Sequence, residues 1–323
     1  MVSPNGFAIP LFLILPIRPG NLPYIMSPTS QITSQAAQAV ILPWTVSRTD
    51  ESAIRVRMEG ISAGWHQDFL LLADAHWDNP HCDRSLLRRH LDEAVQKQAG
   101  ILCFGDWFCA MQGKYDPRHT KTDVRPEHQG ANYLDLLVST ATEFLQPYKP
   151  YLIGFGDGNH EWAIEKRLET SLIGRLTDSL GIQRLYEWGF VSFLFEGQDG
   201  NGKRSRKVLY YHHGSGGGGP VTKGVIRTNR RDSYIQSCDI LVAGHIHEAW
   251  YVETPYVHLN LAGKVEIKPR FHLQLPTYKQ EFVHAGYHVQ NERPPKPLGG
   301  YWLRFSHDNR THGRVKMGVS RAD

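Results

Sequence analysis

The most constraining feature of this sequence is a recurring pattern in which a short apolar run ends at a small group of Asp, His and Asn residues. Each run has the length and composition of a buried β-strand. The runs occupy residues 68–73, 101–104, 151–155, 207–211 and 239–243. Because ligands of open α/β sheets gather at the carboxyl ends of strands, the polar groups are candidates for one common site.

The segments around these runs predict the fold class. Helices are predicted at residues 83–98, 133–145 and 161–179. In the first of them, Asp83 can cap the start and Gly100 follows the end. Further strands are predicted at residues 53–58, 190–195, 250–252, 256–261 and 300–305. Strand and helix alternate in the first half and strands dominate the second, which predicts an α/β protein with a layered β-sandwich flanked by helices.

The domain organisation is interpreted as residues 1–50, a loosely ordered leader rich in Pro, Ser, Thr and Gln, followed by one domain over residues 51–323. The C-terminal part of that domain is irregular and contains strand. Residues 7–17 are apolar but too short to span a bilayer, and Pro10 and Pro16 interrupt them. No Lys or Arg precedes them, as a secretory signal would require. We therefore expect no membrane association; a membrane anchor, and a true start at Met26, are the alternatives.

The composition is that of a soluble globular protein, with 41% hydrophobic and 21% charged residues. The formal charge of +4 is compatible with an anionic partner but does not identify one. The four cysteines form no C-x-x-C pair, which argues against a disulfide framework. They indicate a reducing compartment, so a cytoplasmic location is expected.

The five polar groups carry the chemistry of the chain. They are Asp74-Ala75-His76, Gly105-Asp106, Gly158-Asn159-His160-Glu161, His212-His213-Gly214 and Gly244-His245-Ile246-His247. In D-x-H and H-x-H, alternation along a strand places both side chains on one face, so that both can reach one ion. Each group alone is weak evidence for a metal site, because a single Asp after a strand is often a helix cap. The mixture of carboxylate, imidazole and amide oxygen suits Mn, Fe, Zn, Ni or Co.

The order and content of these groups resemble the calcineurin-like metallophosphoesterase family. That family carries D-x-H, then G-D-x-x-D or N, then G-N-H-D or E, then a His beside Gly, then G-H-x-H. The resemblance runs from about Asp68 to His247, more than half of the chain. The chain departs from the pattern at Cys109, where the family often has Asp or Asn. That position is not an essential ligand, so the site is expected to survive.

The resemblance implies a dinuclear centre of two divalent metal ions, with Mn as the first candidate and Fe, Zn, Ni or Co as alternatives. It implies Asp74, His76 and His247 as ligands of the first ion, Asp106 as the bridge, and Asn159, His213 and His245 as ligands of the second. His213 is preferred over His212 because it directly precedes Gly214, as in the family.

The catalytic roles also come from the resemblance. His160 is implied to stabilise or protonate the leaving oxygen. Asp74 is implied as its hydrogen-bond partner. Glu161 is expected to support the ligands from behind.

The implied activity is hydrolysis of a phosphate ester, and a phosphodiester such as nucleic acid is the sharpest substrate hypothesis. Eight basic residues between Lys203 and Arg231, and a basic loop over residues 113–130, motivate it. A solvated hairpin tip and helix face is the preferred explanation of the first of these. Two alternatives stay open: a phosphomonoesterase or protein phosphatase on the same site, and a nucleic-acid-binding protein with structural metals and no hydrolysis. The glycine-rich residues 214–220 are read as a substrate-side loop or as a simple turn.

Overall fold

Two β-sheets lie face to face at the centre of the computed structural model, which describes residues 40–111, 124–197, 204–219, 221–284, 287–309 and 315–322. All the helices and strands belong to one compact unit, residues 41–323. The strands are β1 Trp44–Asp50, β2 Ala53–Ile61, β3 His66–Leu72, β4 Gly100–Cys103, β5 Leu152–Gly156, β6 Gln183–Tyr186, β7 Trp188–Gly197, β8 Arg204–His212, β9 Ile240–Ala243, β10 Trp250–Leu259, β11 Val265–Gln274, β12 Gly300–His307 and β13 Val315–Ala322. The α-helices are α1 Arg84–Gln96, α2 Tyr133–Leu145, α3 Asn159–Leu168, α4 Leu172–Leu180, α5 Val225–Asp232 and α6 Tyr287–Gln290.

The strand orders explain why the polar groups can meet. One sheet has the order β13-β12-β3-β4-β5-β6, and its strands β3 to β6 are parallel. The other has the order β1-β2-β7-β8-β9-β11-β10, in which β8 and β9 are parallel neighbours. Parallel neighbours end at the same edge of a sheet. The residues that follow β3, β4 and β5 therefore share one edge, and those that follow β8 and β9 share another.

The core between the sheets is aromatic and aliphatic. Phe69 on β3 packs against Phe193 on β7, with ring centroids 4.9 Å apart, and against Phe305 on β12 at 5.9 Å. All three rings are fully buried. The parallel strands are covered on both faces, which is why they read as continuous apolar runs rather than as alternating patterns.

A helical layer covers the other face of the six-stranded sheet. Leu87 and Leu91 of α1 are buried in one cluster with Leu70 and Ile101 of the sheet. The helix begins where predicted, because the side chain of Asp83 accepts a hydrogen bond from the Leu86 amide at 2.9 Å. The α/β class, with two multistranded sheets and helices, is confirmed.

Several boundaries differ from the sequence predictions. Residues 44–50, assigned to the leader, form β1 and pair with β2, so that assignment is wrong for these residues. The predicted helix over residues 161–179 is two helices, because Glu169 adopts a left-handed conformation (φ 54°) that ends α3, and Ser171 caps α4. Residues 1–39, Lys203 and most of the predicted basic loop lie outside the described residues.

The strands predicted at residues 250–252 and 256–261 are one strand, β10. Pro255 interrupts the pattern in sequence but not in space. The strand lies at the edge of its sheet, where a missing N–H leaves no neighbour unpaired. Strands β6, β11 and β13 were not predicted. Across the part of the chain that is described, no helix is both long and apolar enough to cross a membrane.

Candidate metal centre

The polar residues that follow five strands converge from both sheets. Asp74 and His76 follow β3, Asp106 follows β4, and Asn159 follows β5. The remaining implied ligands, His213, His245 and His247, follow β8 and β9. Contacts between side chains join the residues that follow β3, β4 and β5 to those that follow β8 and β9.

The backbone at this site adopts uncommon conformations. Five of the seven implied ligands have positive φ: Asp74 (52°), His76 (47°), Asp106 (50°), His245 (76°) and His247 (55°). Such conformations cost on the order of 1–3 kcal/mol each in a non-glycine residue and cluster at functional sites. Fold contacts hold them in place, including hydrogen bonds from the Asp74 amide to the Gly105 carbonyl at 3.0 Å and from the His76 amide to the Asp106 carbonyl at 3.1 Å.

Two glycines allow the close approach of these loops. A Cβ on Gly105 would lie 2.4 Å from Nδ1 of His213, and a Cβ on Gly158 would lie 2.0 Å from Oδ1 of Asp106. Any larger residue would displace a ligand side chain. The Gly-Asp and Gly-Asn pairs of the sequence therefore reflect packing around the ligands.

The first ligand group consists of Asp74, His76 and His247. Nε2 of His247 lies 3.2 Å from Nε2 of His76 and 3.3 Å from Oδ1 of Asp74. Oδ1 of Asp74 is buried and has no hydrogen-bond partner. Two imidazole nitrogens and a buried carboxylate oxygen that lie within 4.8 Å of one another are a possible donor set for a divalent cation.

The second ligand group consists of Asp106, His213 and His245, with Asn159 beside them. Nε2 of His213 lies 3.2 Å from both Oδ2 of Asp106 and Oδ1 of Asn159. Nδ1 of His245 lies 2.6 Å from the same Asn159 oxygen. Nδ1 of His213 donates to the Phe104 carbonyl at 2.9 Å, which turns Nε2 toward the group.

The charges of the two groups are arranged to bind positive charge. Burial opposes a proton on His213, but Asp106 outweighs burial and raises the pKa of His213 to about 10. Burial likewise opposes a proton on His247, but Asp74 and Glu281 raise its pKa to about 9. In the metal-free protein, protons on these two imidazoles therefore occupy the place of cations.

The other imidazoles favour the neutral form that a metal ligand needs. Burial and the nearby His160 lower the pKa of His76 well below its usual value. Burial and the nearby His213 lower the pKa of His245. Both rings are therefore neutral at neutral pH, and each keeps one nitrogen without a proton.

His212 lies outside these groups. Its Nδ1 accepts a hydrogen bond from the Gly214 amide at 3.0 Å, and burial lowers its pKa to about 4. The next residue, His213, supplies the side chain that faces Asp106. Consecutive residues of an extended chain point to opposite sides, which separates the two histidines.

Carboxylates behind the ligands orient them. Glu281, which the sequence did not predict, lies with Oε2 2.9 Å from Nδ1 of His247. Glu161 accepts hydrogen bonds from the Phe108 amide at 2.7 Å and from the Gly158 amide at 2.9 Å. Thr277 donates its hydroxyl to the Asp74 carbonyl at 2.7 Å. The first contact stabilises the orientation of a ligand ring, and the others fix the loops that carry ligands.

His160 has a different partner from the one implied. Its Nδ1 donates to the Cys109 carbonyl at 2.6 Å, and its Nε2 lies 3.7 Å from Oδ2 of Asp106. Asp74 directs Oδ2 to the His245 amide instead, at 2.8 Å, so the implied Asp74–His160 hydrogen bond is wrong. Because a carbonyl only accepts, Nδ1 carries the proton and Nε2 faces the ligand groups.

The loop that supports His160 is held by a carboxylate. Asp78 accepts hydrogen bonds from the amides of Cys109 at 2.5 Å and Ala110 at 2.9 Å, and from the Tyr133 hydroxyl at 3.0 Å. Burial raises the pKa of the Cys109 thiol to about 12, so the thiol is neutral. The Cys109 sulfur also forms a third possible ligand group with His76 and His160.

A pocket of about 630 Å³ adjoins both ligand groups. Its walls include His245, His247, Glu281, Arg293 and Lys296. Residues 216–218 of the glycine-rich segment also line it, so that segment lies beside the candidate site.

Basic residues of both predicted basic segments have local partners. Lys207 pairs with Asp239 at 3.0 Å, and Arg204 pairs with Glu196 at 2.8 Å. Arg125 donates to backbone carbonyls, including that of Asn79 at 2.9 Å. These contacts reduce the positive charge available to a nucleic-acid backbone.

Comparison with known proteins assigns no family to the chain. No family model and no curated protein matches it. A Thermotoga maritima structural-genomics target solved by NMR shows 11% identity and a TM-score of 0.31, covering 79% of this chain and 99% of that one. GAP50, described as the anchor in the inner membrane complex of Plasmodium, shows 9% identity and a TM-score of 0.39, covering 80% of this chain and 85% of that one. Likenesses this low carry no functional inference, so the function rests on the geometry of the site.

Proposed function

We propose that this protein is a metal-dependent phosphoesterase that hydrolyses a phosphate ester at a dinuclear metal centre. One observation carries the proposal: two adjacent groups of Asp and His side chains, brought from both sheets, place possible ligand atoms within 4.8 Å of one another, with Asn159 beside the second group. The resemblance to calcineurin-like metallophosphoesterases in motif order supports the same reading.

The ligand residues would be shared between two metal ions. Asp74, His76 and His247 would hold one ion, and Asn159, His213 and His245 the other. Asp106, which lies with His213 and His245, would be the bridge that the family resemblance implies. When bound, two divalent ions supply a water of lowered pKa and neutralise the charge on the phosphoryl oxygens. Mn is the first metal to try, because the oxygen and nitrogen donors of this site suit it.

His160 is the candidate acid. Its Nδ1 is fixed by the Cys109 carbonyl, so its Nε2 presents either a lone pair or a proton toward the ligand groups. A proton at Nε2 can be transferred to the oxygen of the leaving group.

Two classes of phosphate ester are candidate substrates. A phosphodiester such as nucleic acid remains the leading substrate, although the ion pairs of Lys207 and Arg204 weaken the case for a basic groove. A phosphomonoester would use the same ligands. A diester carries a second organic group on its phosphate, so the choice between the two substrates depends on whether the neighbouring pocket accepts that group.

The test is hydrolysis of bis-p-nitrophenyl phosphate and p-nitrophenyl phosphate by metal-stripped protein refilled with Mn. Asp106→Ala removes a ligand, and Asp178→Ala, an exposed aspartate on α4, is the matched control. We expect metal-dependent cleavage that Asp106→Ala abolishes and Asp178→Ala preserves. Turnover of the diester would favour the phosphodiesterase, and turnover of the monoester alone would favour the phosphatase. Metal binding without turnover of either ester, or of single-stranded and duplex DNA or RNA, would refute the proposal.

A further inference from the structure

Strands β10 and β11 continue beyond the sheet to which they belong. Strand β9 pairs with β11 only at Phe271–Gln274. From Pro255 to Pro269 the two strands pair with each other, in an unbroken antiparallel register. We call residues 255–269 the arm.

The two faces of the arm differ sharply. One face carries the cross-strand pairs Val257–Ile267 and Leu259–Val265, and these four side chains are 65–75% exposed. Leu261 adds a fully exposed side chain at the turn. The opposite face carries polar pairs. They are Tyr256–Lys268 and His258–Glu266.

An arm of this kind needs a partner for its apolar face. A two-stranded ribbon is marginally stable in water unless a hydrophobic face packs against something. Exposed apolar patches of this size mark interaction sites on soluble proteins. A partner that binds the apolar face therefore stabilises the folded arm as well as the complex.

We propose that the apolar face of the arm is a dimer interface, which packs face to face against the arm of a second copy of this chain. Five large side chains offer on the order of 400–500 Å² per copy, so two copies together approach the ~1,000 Å² that a specific interface needs. Sheets pack in this way at a separation of about 10 Å.

The charge pattern permits pairing with a second copy and disfavours a membrane surface. From Pro255 to Ile267 the apolar face carries no ionisable group, so meeting its own copy brings no like charges together. Two-fold symmetric contacts of this type are the commonest route to a dimer. A membrane surface is a poorer fit, because anionic lipids attract clusters of Lys and Arg. The arm offers Lys264 and Lys268, and Lys268 pairs with Glu266 at 3.3 Å.

The test measures the mass of the full chain by light scattering and its dissociation constant by analytical ultracentrifugation. Val257→Asp and Ile267→Asp place a charge at the centre of the apolar face. Tyr256→Asp places the same charge on the polar face of the same strand, opposite Lys268. We expect a dimer for the unaltered protein and for Tyr256→Asp. We expect weakening of about 30-fold or more for the other two variants.

Three results would overturn the proposal. The first is a monomer at every concentration up to that of a concentrated stock. The second is a dimer that Val257→Asp and Ile267→Asp leave intact. The third is flotation of the unaltered protein, and not of Val257→Asp, with phosphatidylcholine–phosphatidylserine vesicles, which would assign the face to a membrane. Circular dichroism of each variant shows that the domain itself is folded, and Mn-dependent activity is not needed as a readout.

Discussion

Metal binding to this centre should depend steeply on pH, because protons and cations compete for the same imidazole nitrogens. The pKa of His247 is raised to about 9, so at pH 7 its ring holds a proton between Asp74 and Glu281. A cation that binds Nε2 of His247 must displace that proton. Raising the pH therefore strengthens binding, and lowering it weakens binding.

The magnitude follows from the pKa. Displacing a proton about two pH units below the pKa of its group costs about 2.7 kcal/mol. That cost weakens the apparent affinity on the order of 100-fold at pH 7, relative to a pH above 9. His213, whose pKa is raised to about 10, imposes a larger cost on the second site, on the order of 1,000-fold in affinity at pH 7.

The assay is calorimetric titration of metal-stripped protein with Mn, in two buffers of different ionisation enthalpy, between about pH 6.5 and 9. We expect proton release of about one per ion bound at pH 7, and an affinity that rises up to about tenfold per pH unit. His247→Ala should abolish the release associated with the first site. An affinity that does not change with pH, with no proton release, would refute this assignment of charge.

Further predictions concern the supporting residues and the fold. Glu281→Gln should weaken Mn binding by about 10–100-fold in the same titration, since its carboxylate orients His247; unchanged affinity would remove Glu281 from the centre. Asp78→Asn should lower kcat about tenfold with Mn affinity unchanged, because it holds the loop whose carbonyl positions His160; steady-state kinetics would contradict this if KM alone changed. The melting temperature of metal-free protein should fall as the pH rises through about 9 to 10, since a raised imidazole pKa contributes stability that is complete below about 6.5 and is lost above the folded value; calorimetry showing a rise would contradict it. Phe69→Ala should lower the free energy of unfolding by about 3–5 kcal/mol in urea titrations, because it opens a cavity between the two sheets; a loss below 1 kcal/mol would contradict this.

Local pattern was a good guide to the strands that carry the ligands. The runs at β3, β4, β5 and β9 are short and apolar because those strands are covered on both faces, so burial is written directly into consecutive residues. Local pattern also predicted α1 and α2, because their apolar residues recur at helical spacing. The polar residues after the strands were recognisable because each group directly follows an apolar run.

Pairing with distant residues defeated local pattern elsewhere. Strand β10 reads as two pieces around Pro255, and only its place at a sheet edge makes it continuous. The composition of residues 1–50 favours a leader, yet β2 supplies backbone partners for residues 44–50. Such pairing leaves little trace in the residue types of one strand.

By itself, the sequence determined the kinds of ligand atom available and the strand ends at which they occur. Only the tertiary structure decided which atoms meet, because that depends on the order of strands in two sheets and on how the sheets face each other. It also decided the residues behind the ligands. Glu281 is far from His247 in the chain and binds it in space, while His160 turned to the Cys109 carbonyl rather than to Asp74. A short-range pattern cannot encode such contacts, since they join segments that pack together only in the folded chain.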